Sequence, residues 1–204
     1  MYVAKSNRNE NPEELKQFVR ENGFGILISQ VEGRPWATHI PMVLSEDGSR
    51  LTGHVAKGNR QWKNFGNESE VLAVFSGPHA YVSSSWYDHE NVPTWNYIAV
   101  HVSGKIRVIE GGELLESLKQ LTDKYEKASE CPVSVGRMSP EFLKVEINGI
   151  VAFEITIEKL EAAYKLSQNR DDKNHARIIE ELERRNEDGS TRIAEAMKKD
   201  RFTK

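Results

Sequence analysis

Three short stretches of this 204-residue chain concentrate side chains that can hold a ligand. The first is Thr38-His39-Ile40-Pro41. A histidine beside a threonine in an extended run can donate to a phosphate or to the edge of a heterocycle; a strand histidine satisfied by the backbone is the plainer alternative. The second is Gly53-His54-Val55-Ala56-Lys57-Gly58-Asn59. Such a strand and turn can bind one phosphate through backbone N–H groups, the Lys57 charge and the Asn59 amide, although a solvated turn accounts for the same residues. It is not a GxxxxGK[ST] loop, so a nucleoside triphosphate is not expected. The third runs from Phe75 to Ile109. Here Ser83, Ser84, Ser85, Thr94 and Asn96 lie among Tyr81, Trp86, Tyr87, Trp95 and Tyr97. Indole and phenol faces beside polar groups suit a planar heteroaromatic ligand, while ordinary barrel packing competes for Tyr81 and Trp86.

Other chemistries find little support. The six histidines never stand at His-x-x-x-His or His-x-His spacing, and the one cysteine, Cys131, excludes a cysteine-rich metal site. Cys131 reads as a small, semi-buried residue before Pro132. Gly-x-Ser-x-Gly is absent. With 31 acidic residues, accidental carboxylate pairs are numerous and no spacing recommends one.

The elements that must position these stretches follow from periodicity. Residues 11–22 read as a helix capped by Asn11, with Pro12 at its first position and Leu15, Phe18 and Val19 on one face. Phe24–Val31, Pro35–Leu44 and Arg50–Val55 read as strands, separated by the hairpin signals Glu32-Gly33 and Asp47-Gly48. Pro35 and Pro41 confine the second strand to an edge or a bulge. Residues 56–68 form a polar turn and short helix presenting Trp62 and Phe65. Val71–Pro78 is a buried strand that opens the long hairpin. Ile98–Val102 and Lys105–Ile109 follow as strand, and Gly111-Gly112 ends the run. Helices are expected at 113–129 and from Ser139-Pro140 onward within 137–146, then a strand at 149–156. A charged helix follows at 173–186, striped by Ile178, Ile179 and Leu182. Asp188-Gly189-Ser190 reads as a stop and new cap before a last helix at 191–199. The sum is a mainly β fold of roughly seven antiparallel strands: a small barrel with helices.

Composition bounds the rest. Apolar residues make up 38% and charged residues 29%, which points to a modest core with much solvated helix surface. A net charge of −3 argues against a protein that coats nucleic acid. One cysteine fits a reducing compartment, and no run has the length or apolarity of a signal peptide or membrane span. A cytoplasmic protein without membrane association is the expectation.

Taken in order, THIP (38–41), GHVAKGN followed by QW (53–62), VFSGPHAYVSSSWY (74–87), VPTWNYIAVHVSGKIRV (92–108) and KLSQNR (165–170) resemble the PaiB-type family of FMN-binding negative transcriptional regulators. The resemblance covers nearly the whole chain. It implies an FMN-binding split β-barrel of the pyridoxamine-phosphate-oxidase type, spanning residues 1–170, with a helical tail at 171–204. It also implies a homodimer with the flavin at the subunit interface, and a role in repressing protease-production and sporulation genes. On the same resemblance His39, His54, Lys57 and Asn59 lie near the flavin phosphate and ribityl chain. Ser83, Ser84, Trp95 and Asn96 form a partner-facing wall, and Lys165, Gln168 and Arg170 belong to a closing segment. The chain departs from the family pattern at Ser84, where proline is commoner, and at Gly58-Asn59-Arg60, where Ala-Asn-Pro is commoner.

Two rival readings stand beside it. A flavin-dependent oxidoreductase would use the same fold, with His39 and His54 as the first proton donors to test. Haem handling would need an axial ligand such as His101 or His175. DNA contact has no clear motif. It would have to use Lys198, Lys199, Arg201 and Lys204, which read more simply as a solvated tail.

Overall fold

The computed structural model describes residues 1–66 and 69–202. Seven antiparallel strands follow the order β1-β7-β4-β3-β2-β5-β6, and a further β7–β6 pairing closes the last six into a ring. In chain order these are β1 (Arg8–Asn9), β2 (Phe24–Val31), β3 (Arg34–Leu44), β4 (Arg50–Ala56), β5 (Ser69–Val82), β6 (Thr94–Ile109) and β7 (Ile150–Lys165). The helices are α1 (Pro12–Glu21), α2 (Gly111–Glu126), α3 (Pro140–Asn148), α4 (Asp172–Arg185) and α5 (Asp188–Phe202). The chain divides into two compact units, each discontinuous in sequence. One comprises Pro12–Phe75 and His101–Leu160; the other comprises Met1–Asn11, Ser76–Val100 and Glu161–Lys204.

In the first unit the barrel follows from alternation. Strand β2 buries every second residue, and β4 and β6 do the same. Leu27, Met42, Leu51, Phe75, Ile106, Phe153 and Ile155 are wholly buried, and Phe65 meets Phe153 edge-on at 5.5 Å between ring centroids. The β2–β3 hairpin turns on Glu32 and Gly33, both at positive φ, the combination a tight two-residue turn requires. Its register runs from Phe24↔Pro41 to Val31↔Arg34. Among the described residues β4 pairs with its Met42–Leu44 and β5 with its Ile26–Ile28. In the outer half of the hairpin Arg34, Pro35, Trp36 and Ala37 of β3 are exposed, whereas Ser29 and Val31 of β2 are buried and the Gln30 carbonyl accepts from Asn64 Nδ2 at 2.7 Å. Pro35 and Pro41 sit on the part of β3 outside that pairing with β4, as their missing N–H donors demand.

Gly104 explains why β6 runs unbroken. A Cβ there would lie 2.0 Å from the Thr156 carbonyl oxygen, so the residue permits a close approach of two backbones. An ion network sits nearby: Glu154, almost buried, accepts from Arg50 and from Arg107, which also grips Glu113 through two hydrogen bonds.

In the second unit α4 and α5 bury Ile178, Leu182, Ile193, Ala194 and Met197. Asp171 caps α4, and the break comes at Asn186, whose left-handed conformation ends the helix. The expected stop at Asp188-Gly189-Ser190 is instead the first turn of α5. Gly189 is there for proximity: a Cβ would stand 2.7 Å from the carbonyl oxygen of His79. Cys131 is exposed rather than semi-buried.

Candidate functional site

The Thr38 and Lys57 stretches meet in the barrel unit. The bridge is Gln61, fully buried in a five-residue 3-10 turn, Arg60–Asn64. Thr38 Oγ1 donates to Gln61 Oε1 at 2.6 Å, and Gln61 Nε2 donates to the Leu27 carbonyl at 3.2 Å. Asn59 caps this turn by accepting from the Gln61 N–H at 3.1 Å and donates to Thr38 Oγ1 at 2.9 Å. Both ends of the Asn59 amide are therefore spent on shaping the turn. Trp62 Nε1 donates to the Lys57 carbonyl, the Lys57 N–H to the Gly149 carbonyl, and the Asn59 N–H to the Ala56 carbonyl. What the turn turns outward is the exposed Lys57 side chain and Gly58, which has open space where a Cβ would be. His54 is half-buried, and desolvation pushes its pKa below the ordinary value, so its imidazole is neutral at pH 7. His39 is exposed and stacks on Phe24, with ring centroids 6.4 Å apart.

The serine and tryptophan stretches belong to the other unit. Ser83 Oγ accepts from the Ser85 N–H at 3.2 Å and caps a 3-10 turn, Ser84–Trp86. The Ser84 hydroxyl has no side-chain or backbone partner among the described residues. Trp95 is half exposed, and its ring lies 5.9 Å from those of both His79 and Tyr81. Together they form an aromatic shelf on one face of the β5–β6 ladder. Asn96, the next residue, points the other way and is fully buried. Its Oδ1 accepts from Ser167 Oγ at 3.1 Å, and its Nδ2 lies 3.5 Å from Met197 Sδ.

The 165–170 segment closes on itself. The Gln168 amide accepts from the Leu166 N–H and donates to the Tyr164 carbonyl, so both its ends are engaged. Lys165 donates to Thr94 Oγ1, and the Arg170 guanidinium lies 5.0 Å above the Tyr87 ring. Asp88 clamps the start of α4, accepting from Lys173 and Asn174 at 2.8 and 2.9 Å. These bonds, with one from His89, hold its carboxyl well below the usual range.

Of the residues singled out in the sequence, Lys57, His39 and Trp95 are exposed, and Ser84, Lys165 and Arg170 are half-buried. Asn59, Asn96 and Gln168 act as internal struts. Gln61, which organises the first cluster, carries no sequence signal beyond standing next to Trp62.

Residues 1–159 match the family model described as "Putative FMN-binding domain". The chain belongs to this family. Among curated proteins it is 45% identical over 199 residues to "Protease synthase and sporulation protein PAI 2" of Bacillus subtilis (strain 168), covering 97% of this chain and 96% of that one. It is also 31% identical over 198 residues to uncharacterized protein AN0679 of Emericella nidulans, covering 76% and 79% of the two chains. Among solved structures the fold is shared with the FAD and heme binding protein from Mycobacterium smegmatis, at a TM-score of 0.64, 15% identity and coverage of 83% and 78%. The flavocytochrome Anf3 from Azotobacter vinelandii gives 0.64, 16%, 86% and 78%. The fold is thus the expected split β-barrel.

Each unit by itself offers groups of a kind that a flavin uses. A planar ring system needs an exposed aromatic face, which the Trp95 shelf offers. A phosphate needs a cation and an unobstructed backbone, which Lys57 and Gly58 offer.

Proposed function

We propose that this protein binds FMN and serves as a negative regulator of gene expression, working as a homodimer. The observation that carries the flavin part is the match of residues 1–159 to the FMN-binding family; the exposed aromatic shelf of one unit and the lysine-glycine turn of the other each offer a candidate contact. In this reading Lys57 and the Gly58 N–H take the phosphate, and neutral His54 and exposed His39 serve the ribityl and ring edges. Trp95 stacks on a ring, and Ser83 and Ser84 hydrogen-bond to it. Asn59, Asn96 and Gln168 keep these groups in place.

The regulatory part rests on the Bacillus subtilis relative, whose name joins protease synthesis and sporulation. The second copy is supported by one face of the β2–β3 hairpin. There Phe24 and Ala37 are exposed and Ile26 and Ile28 half-buried, an apolar strip that a partner would cover. A direct DNA contact finds less support. Lys173, Arg184, Arg192 and Lys198 of α4 and α5 each lie within ion-pair distance of a carboxylate. Lys204 and the Arg201 side chain lie outside the described residues. Regulation through the flavin-bearing barrel is therefore favoured over a basic recognition helix.

The absorption spectrum of the purified protein tests the cofactor. Oxidised-flavin bands are expected, and Lys57→Ala should weaken FMN while leaving riboflavin, which has no phosphate, nearly unchanged. A protein that stays colourless and rejects added FMN would sink the reading, and a Soret band would favour haem. Titration with duplex DNA at low salt tests direct repression, for which no salt-sensitive binding is expected.

A further inference from the structure

Strand β2 turns Leu27, Ser29 and Val31 toward the interior, and the middle one carries a hydroxyl where an apolar side chain would pack without penalty. Ser29 is 8% exposed, and its Oγ is buried with no hydrogen-bond partner among the described residues. A buried hydroxyl left unpaired is destabilising, and such groups in folded proteins usually have a reason. The surroundings supply one. Ser29 lines a cavity of about 650 Å³ within the barrel unit, in the size range of small-molecule sites. The cavity lies where β2 and β5 part. Ile28↔Leu72 is the last pair described between them, and beyond it the Gln30 carbonyl accepts from the Asn64 side chain at 2.7 Å. A second cavity, of about 590 Å³, shares Ser29, Gln30 and Glu70 with the first and reaches the hairpin turn at Glu32 and Gly33.

The walls define the occupant. Ile28, Pro35, Val71 and Leu72 give the larger cavity an apolar lining. Charges at its rim come in both signs: Glu158 stands beside Lys159, and Glu70 accepts from Lys105 Nζ at 3.5 Å. Balanced in this way, the rim holds no excess charge for an ion to match, and a charged group would lose its hydration on entering. An apolar body can fill the space, and a single oxygen on it can meet the serine hydroxyl. We propose that this cavity binds a small uncharged ligand, an aliphatic alcohol or ketone, whose oxygen hydrogen-bonds to Ser29 Oγ. None of the residues assigned to the flavin lines either cavity, so the site stands apart from the cofactor reading.

The test follows amide shifts by NMR as the isotope-labelled full-length protein is titrated at pH 7 with 1-hexanol, 2-hexanone, hexylamine and hexanoate. The four share a six-carbon chain and differ in the head group. Saturable shifts are expected with the alcohol or the ketone, centred on Ser29, Gln30, Val71, Leu72 and Ser103, and the preferred one names the head group. The protonated amine and the carboxylate should bind at least about tenfold more weakly, because each must shed its hydration. Ser29→Ala should weaken the preferred neutral probe about fivefold, as expected for one neutral hydrogen bond. Ser29→Thr, which keeps the hydroxyl, should retain most of the affinity, and amides remote from the cavity report that each variant is folded. No saturable shift with either neutral probe, or shifts scattered outside the cavity, would overturn the site. Tighter binding of the amine or the carboxylate would overturn the uncharged ligand. An unchanged affinity in Ser29→Ala, or an equal loss in Ser29→Thr, would overturn the hydroxyl contact.

Discussion

Glu154→Gln is the most informative single substitution in the barrel. The Glu154 side chain is 11% exposed and lies between two arginines. It accepts from Arg50 Nη1 at 3.3 Å and from Arg107 Nε and Nη2 at 3.1 and 2.9 Å. The two partners differ in what they lose. Arg107 keeps both hydrogen bonds to Glu113, and half-exposed Arg50 can rehydrate. Breaking a fully buried pair costs roughly 3–5 kcal/mol, but partners that are this accessible recover much of it, leaving about 2 kcal/mol for the glutamine. With a urea slope of about 2 kcal/mol per molar, the unfolding midpoint should fall by about 1 M. The assay is equilibrium urea unfolding followed by tryptophan fluorescence and circular dichroism. A companion Arg107→Gln and the double variant would measure the coupling, which should exceed about 0.5 kcal/mol for side chains in contact. A Glu154→Gln protein with the wild-type midpoint and slope would refute the reasoning. It would mean that the network is solvated and adds nothing to stability, as many surface ion pairs do.

Other outcomes follow from the same geometry. Gly104→Ala places a methyl against the Thr156 carbonyl and should destabilise by about 1–3 kcal/mol or prevent soluble expression; a neutral result by thermal unfolding would show that β6 and β7 can separate freely. Gly189→Ala should also destabilise, although alanine in a helix ordinarily gains about 1 kcal/mol over glycine, because its methyl meets the His79 carbonyl. A rise in melting temperature would deny that contact. The Asp88 pKa is depressed in the folded protein below its ordinary value of 3.8, so its stabilising effect is complete above that pH and is lost as pH falls toward the folded pKa. Asp88→Asn should therefore flatten the acid limb of a stability-against-pH curve, and an unchanged limb would place its partners elsewhere.

Strands of strict alternation were legible to the residue. Phe24–Val31 is bounded as its pattern and the Glu32-Gly33 turn dictate, because burial on one face and a tight turn leave no other register. Strand β6 was harder. Thr94–Tyr97 has the polarity of a loop and Gly104 that of a break, yet both lie within one continuous strand. The glycine answers to the Thr156 backbone across the barrel, about which nearby residues carry no information. Gly189 misled in the same way, since its reason is the distant His79 carbonyl. The candidate site divides along this line. Residue types marked candidate segments, but could not say which amides are already engaged. Asn96 is a strut because Met197, 101 positions later, closes over it. Gln61 escaped notice because a buried glutamine is defined by its partners, Thr38 and the Leu27 carbonyl, and not by its spacing.

The interleaving of the two units sets a timetable for synthesis. The barrel unit is incomplete until Leu160 has been made, and the other unit draws on residues from both sides of it. Neither can be finished as the first hundred residues leave the ribosome. Until then β2–β5 expose apolar edges whose final neighbours do not yet exist, and long-range strand pairing of this kind is slow. Growth temperature and chaperone supply should therefore govern the yield of native protein. For the same reason a deletion that removes only α4 and α5 takes material from a unit begun at the first residue, and should hinder folding well beyond the deleted helices.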